Sequence, residues 1–232
     1  MQRFIPLFAL YLLPATMTAA AQPSNDTLDR VVELTNQKDT YAAIAHVESL
    51  GEPVEVAKEY AQVVSGLYYQ KKNVPLMLHV GRAGVQFCLC EARRLDDPEN
   101  ETAQQLRGYA KMMAFNLAVN CWPAWEDEGI VLSPSEIATG DDLARLNLRL
   151  AEELKRPADK VASAWWLVGA HQLSAKESAE AIESFSKAAA LSGEAKQPEG
   201  EWMAKGYAAI AKRKVAASGD EGKQELQTAI TA

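Results

Sequence analysis

Apolar residues recur every three to four positions along almost the whole chain after residue 24, which is the period of an amphipathic α-helix. Short polar breaks rich in Gly, Pro, Asn and Asp divide this pattern into segments. Alternating apolar and polar runs bounded by turns, which would indicate β-strands, are not found. The sequence therefore predicts an all-α protein built from antiparallel helix hairpins.

The N-terminal half of the pattern predicts five helices. We expect the fourth to be capped by Asn73 and the third to carry Pro53 in its first turn, where the missing N–H does no harm. A polar break at 96–100 is so short that the helices on its two sides must be antiparallel neighbours. The expected ranges are about 26–37, 40–50, 53–71, 74–95 and 101–121.

The C-terminal half begins with "CWPAWEDEGIVLSPS", residues 121–135, the least helical stretch after residue 24 and a candidate boundary or functional loop. Ser133 and Glu136 form a capping box that predicts a short helix, followed by a second helix near 141–155. A second capping box, Ser174 and Glu177, predicts a division between two further helices. These are expected at about 158–173 and 175–192, the latter ended by a left-handed Gly193.

One spacing in this half is specific. Trp165-x2-Val168-Gly169-x2-Gln172, followed by Ala181-x3-Phe185, resembles a tetratricopeptide repeat over roughly 158–217. The small Gly169 and Ala181 would lie where two helices approach most closely, with Trp165 and Phe185 filling the space around them. The resemblance implies hairpins stacked as a right-handed superhelix, or solenoid, that binds a protein or peptide partner.

The resemblance also implies a partner-binding face. Its groove-facing positions are apolar and aromatic, so a hydrophobic or helical segment is the expected ligand. The alternative is that the N-terminal helices or the last helix cover this face and make it core. The implied positions are Trp166, Ala170, Leu173, Met203, Tyr207 and Ile210.

The first residues follow the order of a secretory signal peptide: Arg3, an apolar run over 4–13, and small residues at 19–21. An uncleaved anchor is the alternative, but this run is about half of the roughly 20 residues that span a bilayer. We expect residues 1–21 to be removed and the chain to be periplasmic or secreted. The remaining regions are then 22–121, the loop 122–133, and a tetratricopeptide-like 134–232, expected to form one continuous domain.

Charge narrows the choice of partners. From residue 22 the chain carries 23 basic and 31 acidic residues, a formal charge of −8. Such a surface repels phosphate backbones, so nucleic acid is a poor candidate partner. No later apolar segment is long enough to cross a membrane.

Catalysis and metal binding receive little support from the sequence, and no cofactor is expected. Phosphate loops, nucleophile elbows and zinc-protease motifs are not found. The histidines lie on separate predicted helices without neighbouring ligands, and helix geometry places Cys121 about 20 Å from the other two cysteines, too far for a disulfide. These residues are His46, His79, His171, Cys88, Cys90 and Cys121.

Two functional hypotheses remain. The first is an exported helical-repeat adaptor, not an enzyme, that binds a protein or peptide. The second is an enzyme or small-ligand binder with a site around Trp122, Trp125 and the acidic loop "WEDEG". We favour the first by analogy with the repeat family, although fold alone does not fix function.

Overall fold

A computed structural model describes residues 25–215 and 227–231, and within them the chain is all-helical, with no β-strand. This confirms the all-α prediction. A single 3₁₀ turn at Pro123–Trp125 interrupts the series of α-helices between residues 25 and 215. The helices are α1 (Asn25–Asn36), α2 (Thr40–Glu48), α3 (Pro53–Tyr69), α4 (Val74–Arg94), α5 (Glu101–Asn120), α6 (Pro134–Glu153), α7 (Ala158–Ser174), α8 (Ser178–Glu194) and α9 (Pro198–Lys214).

Each helix from α4 onward packs mainly against its neighbours in the chain, whereas α3 packs against α4 and α5 more than against α2. Short connections make successive helices antiparallel, so the chain forms hairpins laid side by side. The odd-numbered helices also contact one another in sequence, from α1 to α9, and α4 contacts α6 on the other side of α5. A groove follows the junction of α4 and α6.

Local capping signals set several helix starts as the sequence predicts. Asn73 Oδ1 accepts a hydrogen bond from the N–H of Leu76 at 3.1 Å, and Asn100 Oδ1 accepts from the N–H of Thr102 at 2.9 Å. Ser133 and Glu136 form the reciprocal capping box at the start of α6. Each side chain supplies a partner for a backbone N–H that the helix itself cannot satisfy.

The region 134–153 is one helix, not the two that the sequence pattern predicts. Gly140 is buried in the middle of α6. A Cβ at this position would lie 2.6 Å from Cys121 Cβ and 2.8 Å from His171 Cε1. The glycine therefore allows α6 to approach the end of α5 and the side of α7, and it does not end a helix.

The turn between α7 and α8 also differs from its prediction. Ser174 is the last residue of α7 rather than a cap, and α8 begins after Glu177, which makes no side-chain capping bond. Gly193 lies inside α8, and the left-handed residue after that helix is Lys196, with φ 56°.

Lysine occupies the left-handed position after five of the helices. At four of them the next residue's N–H bonds to a carbonyl five residues earlier, as from Asp39 to Leu34 and from Glu177 to Gln172, which is the Schellman motif. Glycine is usual at such positions, and a cation there is favoured by the negative end of the helix dipole. The five residues are Lys38, Lys72, Lys155, Lys176 and Lys196.

Candidate functional site

The loop at residues 121–133 is fastened to the neighbouring helices by its two tryptophans. Trp122 Nε1–H is shared between the carbonyl of Ala170 and Ser174 Oγ, both at 3.0 Å. Trp125 Nε1–H donates to the carbonyl of Val119 at 2.8 Å. Both indole N–H groups are thus used within the protein, which leaves neither to orient a ligand in the site suggested for this loop.

These tryptophans belong to an aromatic cluster, which we define as Trp122, Trp125, Trp166, Phe185 and Tyr207. Trp122 meets the rings of Trp125 and Trp166 edge-on, with centroids 4.9 and 5.5 Å apart. Tyr207 lies edge-on to Trp166 at 5.4 Å. Edge-to-face rings at these distances are a favourable packing of aromatic side chains, so the loop covers part of α7 and α9.

This covering changes the partner-binding face that the family resemblance implied. Three of its members, Trp166, Ala170 and Leu173, are buried, and Trp166 is only 5% exposed. The other three, Met203, Tyr207 and Ile210, are half-buried and pack against the core. In this structure Trp122 covers Trp166 and Ala170, and the α7 members of the implied face lie in the core.

The neighbouring tryptophan has the more exposed position. Trp165, predicted to be the core residue of the pair, is only partly buried, and the ammonium of Lys187 lies 4.2 Å from its ring centroid. The rest of the predicted packing is confirmed, since Phe185 and Ala181 are fully buried. A Cβ on Gly169 would lie 2.9 Å from the Phe185 ring.

The acidic part of the loop is tied to α3. Tyr68 donates its hydroxyl proton to Asp127 Oδ2 at 2.5 Å. Burial, with the added effect of this carboxylate, raises the pKa of Tyr68 above its usual range. Within residues 25–215 and 227–231, no group of three or more His, Cys, Asp or Glu side chains is placed to hold a metal ion.

Cys121, His171 and Asp141 lie together where α5, α6 and α7 meet, a combination that resembles an activated nucleophile. Burial raises the pKa of the Cys121 thiol to about 12 and lowers the pKa of His171. His171 Nε2 lies 3.0 Å from the carbonyl of Ala118, so this nitrogen carries the proton and donates it. Among the described residues no hydrogen bond joins the Cys121 thiol to His171, so the cluster lacks the contact by which a base activates a nucleophile.

The other cysteines and histidines also occupy unremarkable positions. All three thiols are free in this structure, and burial raises the pKa of Cys88 to about 12 while Cys90 is partly exposed. His46 is half-buried on α2, and His79 is exposed on α4.

A concave groove lies between α4 and α6. It comprises two connected depressions of about 640 and about 400 Å³, which share Leu89 and Arg149. α5 lies beneath it, because α5 packs against both of the flanking helices. The apolar residues that line it are Ala83, Val85, Leu89, Ala92, Ala103, Leu143, Leu146 and Leu150, with Pro98 at one end.

The groove lining carries four arginines and three carboxylates, a formal charge of +1, although the chain carries a net charge of −7. Glu153 accepts from Arg107 at 2.6 Å and lies 3.6 Å from Arg149, so one carboxylate serves two guanidinium groups. Arg82 and Arg93 are exposed and form no ion pair with any residue in the described part of the chain. The remaining polar lining residues are His79, Gln86, Asp96 and Asp97.

Sequence reasoning missed this groove. The signal available to it is a stripe on α4, residues 79, 82, 86, 89 and 93, whose spacing of three and four places them on one helix face. Such a stripe of mixed polar residues is usual for a solvent-facing helix, and only the position of α6 makes it one wall of a groove.

Comparison with known proteins adds no assignment, since no family model matches the chain and no curated protein is similar to it in sequence. Among the helices that the structure describes, none combines the length and the apolar character needed to cross a bilayer.

Proposed function

We propose that this protein is an exported scaffold of the tetratricopeptide type, which binds a segment of another protein in the groove between α4 and α6. The hairpin stack supports the repeat relationship, as does the close approach of Gly169 to Phe185. A further support comes from the turns: the left-handed Lys38 and Lys72 each precede an N-cap residue and stand 34 positions apart, the period of the family.

The observation that carries the proposal is the groove itself. Protein ligands that lie in helical grooves bury an apolar face and fix their register through a few polar contacts. Leu89 and Leu146 offer partly exposed apolar surface, while Arg82 and Arg93 offer cations with no partner among the described residues. The aromatic cluster offers neither, because its rings pack on each other and both indole N–H groups of the loop are bonded.

Site-specific photo-crosslinking in the source cell tests the proposal. A photoreactive amino acid at Gln86, which is exposed on the groove wall, is expected to form an adduct with a discrete partner. The same amino acid at Glu183, exposed on α8 and outside the groove, is the matched control. Adducts at both positions in equal yield, or none at Gln86, would contradict binding in this groove.

A further inference from the structure

We infer that the segment bound in this groove is an acidic amphipathic α-helix of about four turns from a partner protein. This inference rests on the proposed function, because it names the chemistry of the ligand for the same site. The evidence is the length of the groove, the apolar residues that line it, which we call its floor, and the distribution of charge along it.

The dimensions of the groove match one helix. The α4 wall runs from His79 to Arg93, and at a rise of 1.5 Å per residue this is about 21 Å, the length of a helix of about 14 residues. α4 and α6 run in the same direction, since each is antiparallel to α5, and they touch only weakly. Because the two helices contact each other, a bound helix would lie along the groove above their junction, against side chains of both.

The floor of the groove would contact an apolar stripe on the bound helix. Leu89 on α4 and Leu146 on α6 are the partly exposed leucines of the lining, while Leu143 and Leu150 are buried beneath them. Side chains at positions i, i+3 or i+4, and i+7 of a bound helix would face these residues. An extended polar strand would leave this apolar surface exposed to water, so the floor favours an amphipathic helix.

The charge of the groove is uneven along its length. The half lined by His79, Arg82 and Gln86 contains no acidic lining residue, and Arg149 stands where the two halves join. The other half contains Asp96, Asp97 and Glu153 besides its arginines. Carboxylates on the partner are therefore expected to lie toward Arg82 and Arg149, where guanidinium groups bind them with directional hydrogen bonds.

A phosphate backbone is the other polyanion that arginines could bind. The apolar floor gives it no ligand, and the net charge of −7 repels an extended polyanion at low ionic strength. A peptide carries a few charges beside apolar side chains, which fits both features. We therefore assign the site to an acidic peptide helix.

The test uses the full chain and a fluorescein-labelled, lactam-bridged helical peptide of about 14 residues, with Leu along one face and Glu beside it. The two comparison peptides have the same sequence with Lys or with Gln in place of Glu. Fluorescence anisotropy should show the Glu peptide binding about ten-fold more tightly than the Gln peptide, with an affinity that falls as salt is added. The Lys peptide should bind more weakly than both.

Variants of the protein locate the binding. The substitution Arg82→Glu should weaken binding of the Glu peptide by about ten-fold or more. Arg82→Gln, a milder change, should also weaken it. Arg94→Glu is the matched control, because Arg94 is exposed on α4 outside the groove. Thermal unfolding of each variant excludes loss of fold as the cause, since both arginines are exposed.

The outcomes separate this inference from the proposed function. Equal binding of the Glu and Lys peptides, no effect of either Arg82 variant, or tighter binding of a single-stranded oligonucleotide would overturn the acidic-helix assignment. If Gln86 nevertheless crosslinks a discrete partner, the scaffold function stands with a different ligand chemistry. If the crosslinking experiment and the peptide-binding experiment both fail, the proposed function and the acidic-helix inference are both rejected.

Discussion

Lys111 lies in an environment that disfavours its charge. It lies in α5, largely shielded from solvent, with its ammonium 5.4 Å from the ring centroid of Phe115. Burial first, and then the cations of Arg156 and Lys160, lower the pKa of Lys111 to about 8, while Asp159 opposes the shift. The folded protein therefore holds this proton less tightly than the unfolded chain does.

This shift predicts how stability depends on pH. Between about pH 8 and 10.5 the unfolded chain keeps the Lys111 proton that the folded protein has lost, so the free energy of unfolding should rise with pH across this window. Replacing Lys111 with Met removes that term, so the variant should be the more stable protein at pH 7, by about 1 kcal/mol after allowance for solvent screening. Its advantage should disappear by pH 10.5.

Urea midpoints at pH 7, 9 and 10 measure the difference. Lys58→Met, at an exposed lysine of α3, is the control and should run parallel to the natural protein. Parallel profiles for Lys111→Met as well would show that Lys111 is more hydrated than its burial indicates.

At the scale of the element, α7 shows how neighbouring residues take different roles. Trp165 and Trp166 are adjacent, so their side chains project about 100° apart around the helix. Trp166 is enclosed by Trp122 and Tyr207, whereas Trp165 lies against α8 under Lys187. The repeat pattern identifies one tryptophan as packed, but the covering ring comes from a loop that has no periodicity.

The two tryptophans should therefore differ in their contribution to stability. Trp166→Ala removes a ring that is 95% buried and should lower the free energy of unfolding by about 3 to 5 kcal/mol. Trp165→Ala leaves a gap that is open to solvent, so its cost should be nearer 1 kcal/mol. Denaturant titrations of both variants decide the point. A larger loss for Trp165→Ala would restore the opposite assignment.

Helix starts were predictable where the signal is local. Asn73, Asn100 and Ser133 accept hydrogen bonds within three residues along the chain, so the sequence contains all that is needed. Helix ends were harder, because Lys176 and Lys196 adopt a conformation that sequence rules reserve for glycine. The repeated pairing of a lysine with Asp, Asn, Glu or Gln after a helix would have identified four of these turns.

At the scale of the whole molecule, the candidate site depends on contacts that no local pattern encodes. Leu146 reads as part of an ordinary apolar face of α6, and Arg82 as a solvated charge on α4. Only the spacing of these two helices over α5 turns the pair into opposite walls of a groove. Trp166 shows the opposite case: the sequence predicts an exposed, partner-binding side chain, and only the position of the loop shows that it is covered.

Export is the remaining prediction at this scale, and it concerns residues 1–21, which lie outside the described residues. Cleavage after Ala21 should leave a mature chain that begins at or within a residue or two of Gln22. Intact-mass measurement of the protein from its source cell reads this directly. Recovery of a chain that retains Met1 in the membrane fraction would contradict it.

The way Trp122 is held affects how the molecule could be divided. By sequence, the loop after α5 is the natural place to separate two transferable modules, as linkers between domains usually are. Yet the indole N–H of Trp122 donates to Ala170 and Ser174, which lie beyond the candidate boundary, and the Trp122 ring lies against Tyr207. A split after this loop would separate Trp122 from its hydrogen-bond acceptors, Ala170 and Ser174. It would also expose the surface around Tyr207 that the Trp122 ring covers. The fold should tolerate insertions and new termini better at the exposed turn 96–99, where they would alter the end of the groove that Asp96, Asp97 and Pro98 line.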